Sequence, residues 1–221
     1  MMADQTVARV EPVRTEAYLD VFQMLTGVGL VAFMWAHMIL VASVNLDLGG
    51  GRVMNAIAHF FEATYMAQLG GPMIALVMLF HFVLAARKLP FRAREQKAIW
   101  RHSVNFNHLD TWLWMIQAVT AFIILIMGCI HMWTVLTSLP ITAAKSAARI
   151  QGGWWLLFYL VLLPMIELHT GIGIYRIGVK WGWIKRSNRK MLHGFENKLM
   201  FTMIGIGLLS LFTFFFLVKA M

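Results

Sequence analysis

The chain has 221 residues, 60% of them apolar and 13% charged, with a mean hydropathy of +0.69. Soluble globular domains carry about 45–50% apolar and about 25% charged residues, which excludes a soluble domain and a disordered chain alike. One cysteine, Cys129, excludes a disulfide framework and any cysteine-ligated iron–sulfur cluster held by this chain alone. A charge of +9 set among long uncharged runs indicates basic loops at a lipid bilayer rather than a nucleic-acid partner.

A helix needs about 20 apolar residues to cross roughly 30 Å of hydrocarbon. Taken in chain order, residues 1–20 read as a polar arm without the apolar stretch of a leader peptide. Five runs then qualify as spans: 21–44, 63–86, 111–139, 150–175 and 199–218. In the second, Gly70-Gly71-Pro72 marks a candidate start of regular helix, and the fourth carries a single charge, Glu167. No internal repeat or soluble second domain interrupts residues 1–221, so the expected fold is one all-α, five-helix membrane bundle.

Fifteen of the nineteen basic residues lie in three segments that alternate topology puts on one side: the arm with Arg9 and Arg14, residues 87–101, and residues 176–198. Only Arg52, Lys145, Arg149 and Lys219 fall on the other side. Positive charge stays inside, so the N-terminus is expected in the cytoplasm and the C-terminus outside, as a multi-pass protein of the cell (inner) membrane.

Of eight histidines, His59, His102, His108 and His193 fall in or beside loops and read as solvated or interfacial side chains. The other four lie one per span: His37, His81, His131 and His169. Ionisable side chains inside a membrane are costly and face the bundle interior with a partner. Each of the four sits in the C-terminal half of its span. Because neighbouring spans run in opposite directions, His37 and His131 share the outer level, and His81 and His169 the cytoplasmic one. Two imidazoles facing each other at one depth suit a six-coordinate b-type haem, and two pairs suit two stacked haems. A structural zinc site would instead want its ligands at one point. No CxxCH occurs, so attachment is expected to be non-covalent.

These histidines, the run from Glu167 to Arg176 (ELHTGIGIYR), His81–Pro90, Trp114–Thr120 and Val179–Trp183 resemble the dihaem cytochrome b subunit of fumarate reductases and the related succinate dehydrogenases. The resemblance covers about residues 18–218. It implies an anchor for an iron–sulfur subunit and an FAD-containing flavoprotein subunit, in a dimer of heterotrimers that oxidises menaquinol while fumarate is reduced elsewhere. His81 and His169 would hold the proximal haem, and His37 and His131 the distal one. Gln23, Trp114 and Lys180 would contact propionates of the proximal haem.

Two acids take catalytic roles on the same resemblance. Glu62, at the outer boundary of the second span, would accept the proton of menaquinol as a general base. Fewer residues separate it from His81 here than in the family pattern. Glu167 lies deep in the fourth span, where an acid costs about 2.5–3.5 kcal/mol to insert, and would carry a proton across the membrane. The same module could run in reverse, as a succinate dehydrogenase that reduces quinone. A proton or ion transporter built on the buried His and Glu residues is the more distant alternative.

Overall fold

The computed structural model describes residues 14–106 and 109–219, so Arg9 and His108 lie outside the described residues. Among the described residues eight α-helices follow in order: α1 (Arg14–Ala42), α2 (Arg52–Ala63), α3 (Met66–Ala86), α4 (Ala93–Phe106), α5 (Leu109–Leu136), α6 (Ala143–Gln151), α7 (Trp154–Lys180) and α8 (Arg189–Phe216). Among the described residues there is no strand. Five of the helices (α1, α3, α5, α7 and α8) are long and apolar enough to cross a membrane.

Helix boundaries depart from the expected ones where charged residues flank an apolar run. α8 begins at Arg189, ten residues before the expected 199, and α1 begins at Arg14 rather than at residue 21. Basic and acidic residues are compatible with helix; they simply keep those turns out of the hydrocarbon. Pro72 sits inside α3, which starts at Met66, so Gly70-Gly71-Pro72 does not open the helix. Residues 63–65 belong to the end of α2 and a break, where Tyr65 takes a left-handed φ of 57°. Ile150 lies in α6, and α7 starts only after Gly153 at φ 84°.

The spanning helices alternate in direction, and their ends show it. Asp20 of α1 meets Arg87 and Lys88 after α3 and Lys180 closing α7. Asp110, opening α5, accepts a hydrogen bond from Tyr175 of α7 at 3.0 Å and pairs with Arg189 of α8 at 3.4 Å. This basic end therefore gathers the starts of α1, α5 and α8 with the ends of α3 and α7. Helix α4 lies here too, largely exposed, with Trp100 edge-on to Trp112 at 5.9 Å.

The opposite end is closed by α2 and α6. Val44, Met54, Ala143, Ala147, Ile150, Phe214 and Val218 form its apolar cluster, with Val44 and Ala147 wholly buried. Gly51 permits the closure twice over: it takes a φ of 71°, and a Cβ there would stand 2.5 Å from the Ala143 Cβ. Asn55 accepts the Ala143 N–H at 2.7 Å across the same contact. Around the ring α1–α3–α5–α7, with α8 bridging α7 back to α1, large apolar side chains such as Leu76, Val119 and Phe122 face outward, as lipid contact requires.

Candidate functional site

One cavity of about 830 Å³ runs through the α1–α3–α5–α7 bundle, and all four span histidines line it. His37 and His131 face each other with ring centroids 6.1 Å apart and planes at 61°. His81 and His169 are electrostatic neighbours across the same cavity. The levels of the two pairs can be read from the helices. Thr26 of α1 bonds His81 and Thr120 of α5 bonds His169, while His37 and His131 lie eleven residues further along those same two helices. At 1.5 Å per residue, both helices give about 16 Å between levels.

The hydrogen bonds set the tautomers. His169 Nδ1 lies 3.1 Å from the Gln117 carbonyl oxygen, which can only accept, so Nδ1 carries the proton and Nε2 is left as a lone-pair donor. Thr120 adds its hydroxyl oxygen at 3.1 Å, its own proton directed to the carbonyls of Ile116 and Gln117. Thr26 repeats the device for His81 at 3.0 Å, donating to the carbonyls of Phe22 and Gln23. Fixing Nδ1–H in this way aims a basic Nε2 at a metal. Gly27 admits the close approach: a Cβ there would lie 2.9 Å from His81 Cε1.

A haem fits these residues. Two metal–nitrogen bonds of about 2 Å, plus roughly 1 Å from each nitrogen to its ring centre, require centroids about 6 Å apart, the spacing of the His37–His131 pair. Among the described residues no group of three or more His, Cys, Asp or Glu converges, so the arrangement is one of pairs. The cavity walls are apolar except near the two ends. Gln23, Trp114 and Lys180 line it toward the basic end, with Asp20, Lys88 and Arg176, while Arg149 stands near His131. Cations at both ends suit the carboxylates of a porphyrin edge.

The two acids are placed differently from the histidines. Glu62 does not line the cavity; Oε1 accepts the backbone N–H of Ile141, which does. Glu167 is 1% exposed and also off the cavity wall, turned toward Trp35 of α1. Its Oε1 and the Trp35 Nε1 are both buried without a hydrogen-bond partner.

Several residues escaped the sequence reading. Tyr159 bonds His131 Nδ1 at 3.0 Å, and Thr26 and Thr120 serve the other pair. Hydroxyls carry no sequence signal until the fold brings them to a ring. His193, expected at a loop, lies within α8: it stacks on Tyr175 at 4.1 Å, stands 3.6 Å from Glu196 and keeps Nε2 buried. The helix begins before the charges end, which is why it read as a loop residue.

Five spans around paired imidazoles define a membrane-embedded helix bundle with side chains that could hold a metal-centred prosthetic group. The comparisons narrow this. The family model described as succinate dehydrogenase/fumarate reductase transmembrane subunit matches residues 93–206. The fumarate reductase cytochrome b subunit of Helicobacter pylori is 36% identical over 179 residues, covering 76% of this chain and 69% of that protein. Its counterpart from Wolinella succinogenes is 35% identical over 179 residues, with 77% and 69% covered. The chain belongs to the succinate dehydrogenase/fumarate reductase transmembrane subunit family, as a cytochrome b membrane subunit.

Proposed function

We propose that this chain anchors a fumarate reductase in the cell membrane, binds two b haems and oxidises menaquinol at the outer face. The observation that carries the reading is the His37–His131 separation of 6.1 Å at one level of a cavity that holds a second pair at another. The relatives' names favour fumarate reductase over the succinate-oxidising direction.

His81 and His169 would hold the inner haem, and His37 and His131 the outer one, each through Nε2. Gln23, Trp114 and Lys180 would receive the inner propionates. When bound, the two haems supply one-electron carriers at two depths of the membrane. Thr26 and Thr120 hold the imidazoles in register. Glu62 would take the quinol proton, separated from the cavity only by Ile141. Glu167 would hold a proton in the seam between α7 and α1, beside the Trp35 indole. The basic end, with α4 and the segment 176–198, would face the cytoplasm and meet the iron–sulfur subunit, with the flavoprotein beyond it and two such heterotrimers pairing.

The complex purified with this chain is expected to show two low-spin b haems per chain in its visible and EPR spectra. One haem or none would overturn the reading.

A further inference from the structure

We propose that Tyr159, with Arg149 behind it, sets the electron-donating strength of His131 and thereby the reduction potential of the outer haem. The proposal rests on the dihaem reading above.

The two histidine levels differ in what receives the Nδ1 proton. At the inner level the acceptors are ordinary: the Gln117 carbonyl and Thr120 for His169, and Thr26 for His81. At the outer level the partner of His131 is the Tyr159 phenol, 3.0 Å away, its ring edge-on at 81° and 5.6 Å between centroids. Ligation through Nε2 leaves the ring proton on Nδ1, so the phenol oxygen accepts it. The Arg149 guanidinium is an electrostatic neighbour of that phenol, and the Trp155 ring it overlies packs against the Tyr159 ring at 6.0 Å. Arg149 is held in turn by Ser138 Oγ at 2.9 Å and lies over the Trp155 ring at 5.8 Å.

A carbonyl that accepts Nδ1–H pushes electron density toward Nε2 and makes the imidazole a stronger ligand. A phenol oxygen beside a cation has less to give. His131 is therefore the weaker donor of the two levels, and the guanidinium charge acts in the same sense by disfavouring the ferric, more positive centre. Tyr159 is a positioning residue: it touches the ligand rather than the reacting atoms, and its effect is electronic.

The test is a potentiometric titration of both haems in the assembled complex, alongside haem content and EPR. Tyr159→Phe keeps the ring and removes the acceptor, so the outer haem potential should rise while the inner one stays in place. Arg149→Gln keeps the phenol and removes the charge, so the outer potential should fall. Opposite shifts confined to one haem are the result expected. Unchanged potentials, or equal shifts in both haems, would overturn the proposal while two bound haems left the dihaem reading standing. If Tyr159→Phe releases the outer haem, Arg149→Gln decides alone: a fall supports the proposal and no shift overturns it.

Discussion

At the basic end of the bundle the helices are tied by ions, and at the other end by apolar packing. Asp20 alone gathers Arg87, Lys88 and Lys180 from α3 and α7, and Asp110 joins α5 to α7 and α8. At the far end Val44, Met54, Ala147 and Phe214 pack under α2 and α6, with the Asn45–Ser210–Thr213 hydrogen bonds buried beside them. The difference follows what each end has to meet. A charged, partly solvated rim can exchange contacts with a polar partner and with propionates at little cost, since exposed ion pairs are weak. A packed cap excludes water from the level at which a quinol would react. The two histidine pairs share this contrast: the pair nearer the basic end leans on backbone and threonine, and His131 of the other pair on a tyrosine.

The comparison breaks most severely if the two levels are not independent. His131→Ala should cut the haem content from two to one per chain and spare the inner signal, and His81→Ala should do the reverse. Loss of both haems in either variant, measured by pyridine haemochrome and EPR, would show one cooperative site rather than two.

Next in size come the acids. Glu62→Gln keeps an oxygen to accept the Ile141 N–H but removes the proposed base. Quinol-driven fumarate reduction should collapse with both haems retained, while reduction by an artificial low-potential donor continues. Glu167→Gln should also lose quinol turnover yet leave quinone affinity near that of the unmodified chain, whereas Glu62→Gln should lower it. Normal turnover in Glu62→Gln would move the base elsewhere on the outer cap.

How much of this was legible beforehand depended on which physical signal each feature leaves. Long uncharged runs announce spans because hydrocarbon tolerates little else, so all five could be counted from the sequence. α2 and α6, at 12 and 9 residues, left no such trace. Their faces are amphipathic and their charges belong to the interface, so a search that cuts at charges reads them as loop. Pro72 misled for a related reason: within a membrane helix the freed carbonyl can be satisfied by neighbours, so proline does not have to end the segment. The histidines were readable because an ionisable group in a span demands an explanation. Tyr159, Thr26 and Thr120 sit 28, 55 and 49 residues from the rings they serve, a pairing only the packed bundle creates.

Smaller effects should separate the two ends themselves. Ala147 is wholly buried in the cap, so Ala147→Leu should overpack it at a cost of about 1–3 kcal/mol, insensitive to salt. Asp20→Asn should loosen the basic end instead, and raising the salt concentration should produce part of the same loosening in the unmodified chain. Limited proteolysis of residues 43–65 and 87–106 reports on each end. Equal salt sensitivity at both would erase the distinction.

The smallest effect concerns Asp47, the carboxylate at the start of α2. Asp47 Oδ1 accepts the Gly51 N–H at 3.0 Å and Oδ2 the Arg52 N–H at 2.7 Å, so the charge sits at the start of α2. Desolvation works against that charge, but the backbone donors and Arg52 outweigh it and hold the carboxyl below its ordinary range. An anion at a helix N-terminus is favoured for the same reason. A pKa depressed on folding contributes stability that is complete above the unfolded value of about 4 and is lost as pH falls through the folded one. Amide exchange at Arg52 and Asn55, corrected for its intrinsic pH dependence, should therefore show constant protection from neutrality down to about pH 4 and weaken only below it. Asp47→Asn should show the weaker protection throughout, with no acid transition. If the two proteins exchange alike at pH 6, the carboxylate contributes nothing, and the closure of this end rests on packing and on the Asn55 and Glu62 contacts.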